Sequence, residues 1–147
     1  MVRGRRLPRG FLPWLCATLG VMALITWFSS QPAVDSDQLS RGLALQLLEA
    51  LGIPQARLGT ANHLLRKAAH FSIYALLGLC MSGTWSFQRR LSLFPTALGC
   101  CAAFAALDEF HQSFVPGRGP QVTDVLLDSC GAAAGCVLFT LLGRRRA

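Results

Sequence analysis

The sequence predicts an all-α integral membrane protein: a bundle of four transmembrane helices, with an amphipathic helix lying on the outer surface in the first loop. Three observations predict it. Only 14% of the 147 residues are charged and 52% are hydrophobic, against about 25% charged in a typical soluble domain. Charge-free runs lie at Phe11–Ser30, Ala68–Gln88 and Leu91–Leu107, and a fourth, Val125–Gly143, carries only Asp128. Each has about the 17–25 residues a spanning helix needs. The basic residues flank these runs rather than interrupt them. The core of a soluble bundle would keep a polar face on each helix at a 3.6-residue period, and Phe11–Phe28 shows none.

Each element follows in order. Residues 1–10 form a basic tail with Arg3, Arg5, Arg6 and Arg9. The first span covers about 11–28. It is too long for the ~7–15-residue core of a signal peptide, and no Ala-x-Ala site follows it, so it reads as an uncleaved helix. The loop 29–66 contains "SDQLSRGLALQLLEALGIP". Leucines recur there at three- and four-residue spacing, Ser36 or Asp37 is placed to cap the helix, and Gly52 and Pro54 end it. Such a helix suits a membrane surface. The second span is about 68–86, and "SFQRR" with Arg89 and Arg90 makes a tight turn. The third span is about 91–109. "HQSFVPGRGPQ" is a loop rich in breakers, and the fourth span is about 123–142. Residues 143–147 form a second basic tail. Gly131, Ala132, Ala133, Ala134 and Gly135 are small enough to let helices approach closely in lipid.

The net charge of +7 suits nucleic acid less well than its distribution suits a membrane. Nine of the fourteen basic residues fall in the two tails and the 89–90 turn. Under the positive-inside rule these mark the cytoplasmic side. The chain is therefore expected in the cell membrane, multi-pass, with both termini cytoplasmic. The six cysteines all lie inside predicted spans and form no CxxC pair, so they read as small apolar residues.

The ionisable residues then share one depth. Lys67 and His70 begin the second span, Asp108 and Glu109 end the third, Arg118 lies in the following loop, and Asp124 and Asp128 begin the fourth. His70, Tyr74 and Gly78 stack on one helical stripe, Asp124 and Asp128 on another, and Asp108 shares a face with Gln112 if that helix runs on. Intramembrane ionisable groups usually face the bundle interior and pair there, so one polar pocket open to the outside is expected. Pro116 and Gly117 would turn the chain so that Arg118 faces Asp108, Glu109 or Asp124. Ordinary readings exist for several members: Lys67 can snorkel, Tyr74 can be an interfacial aromatic, Asp124 can be a helix cap and Gln112 can bond loop backbone.

These residues resemble a family. "RKAAHFSIYALLG" is similar to the first motif of VanZ-like membrane proteins, and "DEFHQSFVPGRGPQVTDVLLDSCGAAAG" to the second; "FSSQP" resembles a weaker third element. The "GPQ" after Arg118 departs from the small residues more usual there. The resemblance implies a small helical membrane protein. The family's named member is associated with low-level resistance to the glycopeptide teicoplanin. The motif positions fall on Lys67, His70, Tyr74, Asp108, Glu109, Gln112, Arg118, Asp124 and Asp128.

Two functions fit. In the first, the pocket binds or acts on an anionic lipid-linked envelope molecule. His70, Asp108, Glu109 and Asp128 would supply acid–base chemistry, while Lys67, Tyr74, Gln112, Arg118 and Asp124 would hold the substrate. Arginine contacts phosphate or carboxylate bidentately. In the second, the charges form a structural salt-bridge network in a non-catalytic scaffold or partner-binding protein. A divalent metal on His70, His111 and the carboxylates is a variant of the first. No HExxH or tight ligand motif supports it, so no metal and no cofactor is expected. The expected partners are membrane lipids and a lipid-linked envelope precursor, not nucleic acid.

Overall fold

The computed structural model describes residues 8, 10–87 and 92–144. Arg89 and Arg90 of the expected turn, and most of the two expected basic tails, lie outside these. The described residues form five α-helices: α1 (Phe11–Ser29), α2 (Ala33–Ala50), α3 (Leu58–Trp85), α4 (Leu93–Gln112) and α5 (Val122–Arg144). A short 3-10 turn, Gln55–Arg57, leads into α3. Four helices are long and apolar enough to cross a membrane: α1, α3 with its leading turn, α4 and α5. Pro13 and Pro95 fall in the first turns of α1 and α4, where a missing N–H leaves no helical bond unmade.

α3 is the axis of the bundle. It packs on α5, α1, α2 and α4, and α4 also packs on α5. The core is built from Ile25, Tyr74, Leu77, Ala97, Cys101 and Cys136 with smaller neighbours. Large apolar side chains such as Leu19, Trp27, Leu107 and Leu138 point outward, as a lipid-facing surface requires. A buried hydrogen bond between Thr18 and Thr84 (2.9 Å) joins α1 to α3. In lipid such contacts supplement packing rather than burial from water.

The α3–α5 crossing depends on glycine. A Cβ on Gly78 would collide with the Ala132 carbonyl; one on Gly131 would meet the Phe71 carbonyl, and one on Gly135 the Ala75 carbonyl. The two backbones therefore touch through the small-residue run noted in the sequence. This contact brings the first turns of α5 against the N-terminal half of α3, where the polar residues sit.

The ends of the elements differ in detail from the sequence reading. α3 begins about ten residues before the expected span, at Leu58. Its first turns carry polar residues such as Asn62 and Arg66, so hydropathy alone underestimates its length. α4 continues to Gln112. α2 begins at Ala33 after Pro32, so neither Ser36 nor Asp37 caps it. Pro32 has extended backbone (ψ 147°) and cannot itself continue a helix backwards; the Ser36 N–H already bonds the Pro32 carbonyl. Asp37 is thereby released to bond α3. The other end of α2 is as expected. Gly52 has φ +66°, and the amides of Gly52 and Ile53 bond the Glu49 and Leu48 carbonyls (3.2 and 2.9 Å), a Schellman closure. α2 packs Ala44 and Leu48 inward while Leu39, Leu43, Leu47 and Leu51 stay exposed in a four-residue-spaced stripe.

Candidate functional site

The polar residues of four helices meet at one end of the bundle, formed by the C-terminal ends of α1 and α4, the N-terminal half of α3 and the first turns of α5. Two cross-helix pairs join α3 to α5. Lys67 forms an ion pair with Asp124. One turn deeper, His70 Nδ1 lies 3.3 Å from Asp128 Oδ1 and 3.5 Å from Oδ2. The three- and four-residue spacings on the two helices set these pairs in register. Asp128 is fully buried. Nε2 of His70 has no hydrogen-bond partner among the described residues.

Asp108 is also buried. It accepts hydrogen bonds from Ser29 Oγ (2.8 Å) and from Gln112 Nε2 (3.1 Å). Glu109 Oε2 accepts the Gln121 N–H (2.9 Å), which ties the α4–α5 loop to α4. Tyr74 lies beneath, wholly buried. Its hydroxyl and Glu109 Oε1 are buried without a hydrogen-bond partner among the described residues. Of the residues expected to converge, Lys67 pairs with Asp124 and His70 with Asp128, while Asp108 bonds Gln112 and Glu109 bonds the α4–α5 loop.

Arg118 is where the structure departs from expectation. It does not face a carboxylate. Its Nε donates to the Gln31 carbonyl (3.0 Å), one terminal nitrogen to the Phe28 carbonyl (2.9 Å) and the other to Gln112 Oε1 (3.2 Å). The reason lies at the end of α1, where the Phe28 carbonyl stands at the negative end of the helix dipole and the Gln31 carbonyl follows in the link to α2. A guanidinium fork matches two such oxygens. Gly117, at φ +75°, makes the turn that delivers it, and Ala33 N–H bonds the Pro116 carbonyl (3.2 Å). Hydrogen bonds therefore link Arg118 to Asp108 through Gln112. Burial, and the neighbouring charge of Arg66, push its guanidinium down from the ordinary value, though an arginine stays charged.

The sequence reading missed a second cluster. Asp37 on α2 accepts from Asn62 Nδ2 (2.7 Å) and from Arg41 (3.3 Å), with Arg66 at 3.9 Å. Asp37 and Asn62 are too far apart in sequence for any local pattern to pair them. Ser29 and Gln31 were also missed as contacts, although the "FSSQP" element contains both.

Two cavities flank this end. One, of about 340 Å³, is a mainly apolar groove walled by Ile25 and Phe28 of α1, Leu39 and Leu43 of α2, and Ile73 and Tyr74 of α3. The other, of about 350 Å³, is polar and includes Asp37, Asn62, Lys67, Gln112, Gln121 and Asp124. Arg66, His70 and Arg118 line both. Among the described residues no three His, Cys, Asp or Glu side chains are grouped to hold a metal ion.

Four apolar helices with α3 at their centre, their ionisable groups gathered at one end, define a multi-pass helical membrane protein with an internal polar cluster. The chain belongs to the VanZ/LLP1 family, whose sequence model matches residues 14–143, from α1 to α5. No curated protein and no solved structure matches it.

Proposed function

We propose that the polar end faces the outer side of the cell membrane, with both termini cytoplasmic, and that it binds an anionic lipid-linked envelope molecule. The observation that carries this reading is the shared wall. Arg66, His70 and Arg118 each line an apolar groove and a polar cavity. An amphiphile has the same anatomy: a hydrocarbon chain joined to a head through a phosphate or carboxylate. The chain would lie between α1 and α2, the anion against the shared cations, and the head in the polar cavity. Arg118 is already fixed by carbonyls, so its charge is held in place before the ligand arrives, which lowers the ordering cost of binding. Lys67, Tyr74, Gln112 and Asp124 support the same wall. The basic tails and Arg89–Arg90 support the orientation through the positive-inside rule.

His70 is the group placed for acid–base chemistry. Asp128 engages its Nδ1, leaving Nε2 for a ligand, the arrangement of a base held by an orienting carboxylate. Asp108 and Glu109 lie alongside. A role in teicoplanin resistance follows from the family resemblance alone. Both are tested in one host strain lacking the gene. Restoring the gene should raise lipid retention and teicoplanin tolerance, and His70→Ala or Glu109→Gln should abolish the effect with protein level and insertion normal. Full function in both variants would refute the acid–base reading.

The second reading, a scaffold held by internal charges, is favoured by one specific observation: Lys67–Asp124 and His70–Asp128 both bridge α3 and α5. It predicts that any of these substitutions reduces folded protein before it reduces activity.

A further inference from the structure

The polar cavity carries anions and orphaned acceptors as well as cations. From these we infer that the ligand's head holds a protonated primary amine beside its phosphate, as in a phosphoethanolamine lipid, with the amine seated among Asp37, Asn62 and Asp124. The inference rests on the amphiphile-binding reading above and adds to it the chemistry of the head.

Arg66 and Arg118, with His70, stand on the wall common to both cavities, where the phosphate that joins head to chain would lie. Asp37, Asn62 and Asp124 line the polar cavity and not the apolar groove. The acceptors of Asn62 and Asp124 are incompletely used, whereas both oxygens of Asp37 are engaged, Oδ1 by Asn62 and Arg66 and Oδ2 by Arg41. Lys67 and Thr123 both engage Oδ1 of Asp124, and Oδ2 has no partner among the described residues. Asn62 is 8% exposed. Its Nδ2 donates to Asp37 (2.7 Å), which fixes the amide orientation and leaves Oδ1 buried with no donor. A buried acceptor without a donor is costly, and native structures seldom leave one unexplained.

The shape of the deficit selects the ligand. The acceptors left without a donor are Asn62 Oδ1 and Asp124 Oδ2, within a cavity also lined by Arg66, Lys67 and Arg118. A phosphate monoester brings almost only acceptors. A trimethylammonium brings charge without any N–H. A primary ammonium brings three N–H donors, enough for Asn62 Oδ1, Asp124 Oδ2 and an oxygen of Asp37. Asp37 and Asp124 are 35% and 18% exposed, so both can be reached from the cavity.

The test compares matched-chain phosphatidylethanolamine, phosphatidylcholine and phosphatidic acid bound to the full chain in detergent, read by native mass spectrometry. The ethanolamine lipid should be retained about tenfold or more above the choline lipid, the scale of one hydrogen bond to a charged group, and also above phosphatidic acid. Asn62→Leu should erase the preference while phosphatidic acid still binds. Equal retention of the three lipids, or a preference for phosphatidic acid, overturns the amine and leaves amphiphile binding standing. Retention of none overturns both. Where a variant does not fold, shown by circular dichroism and gel filtration, the ranking of lipids on the unaltered chain decides.

Discussion

Arg118 shows how one side chain can be well placed and still be misread. Its position in the sequence, in a turn beside Asp108, Glu109 and Asp124, pointed to a carboxylate. Its partners are instead the Phe28 and Gln31 carbonyls and Gln112. Backbone oxygens have no letter in a sequence, so this contact was illegible, whereas Asp108–Gln112 could be anticipated from helical spacing, and His70 was placed at one depth with Asp108, Glu109 and Asp128 without its partner being singled out. The corrected geometry sharpens the expectation for Arg118→Lys. An ammonium is a point donor and cannot span two carbonyls and an amide as the fork does. Arg118→Lys should lose about 1–3 kcal/mol of stability, the scale of lost bonds to a charged group, and come close to Arg118→Ala in detergent thermal unfolding. A lysine variant as stable as the parent would show that the fork is idle. The pairs between α3 and α5 invite a second measurement. His70–Asp128 has one partner only 1% exposed, so a double-mutant cycle should give a coupling above ~1 kcal/mol, the upper range of solvent-exposed pairs. Coupling near zero would remove the scaffold reading.

At the scale of elements, the four apolar helices were legible because charge-free runs of that length have few other uses, and α2 because its leucines keep helical spacing. The start of α3 was not. Its first turns mix Asn62, His63 and Arg66 with leucines, and only the packing of α2 against them makes a helix there the natural solution. The small-residue run on α5 was legible as a packing face, and its partner proved to be α3. Gly135→Ala should therefore drive a methyl into the Ala75 carbonyl and Gly131→Ala one into the Phe71 carbonyl. Overpacking of this kind costs about 1–3 kcal/mol, and it should separate Lys67 and His70 from their partners, so lipid retention falls along with thermal stability. Gly99→Ala is the control, since nothing lies within 4 Å of its added methyl; a helix interior gains about 0.5–1 kcal/mol from that change. Equal behaviour of Gly99→Ala and Gly135→Ala would mean the α3–α5 crossing tolerates more space than its geometry allows.

For the molecule as a whole, the proposal turns on which side of the bilayer the polar end faces. Reporter fusions after Gly117 should report the outer side and fusions after Arg90 the cytoplasm; the reverse pattern would invert the orientation and move the ligand to the inner leaflet. The arrangement of charge also bears on how the protein is made. α3 carries Lys67 and His70, while their acids ride on α5, which is translated later. During synthesis, α3 must enter the translocon with Lys67 and His70 unmatched and wait. Asp124 and Asp128 lie at the leading end of α5, so the match comes as that helix begins to insert. A chain halted after Pro120 would keep the wait permanent. Such an intermediate offers membrane proteases an uncompensated cationic helix, a mark by which incomplete copies can be told from finished ones, and pulse-labelled truncations ending at Pro120 should decay faster than the full chain.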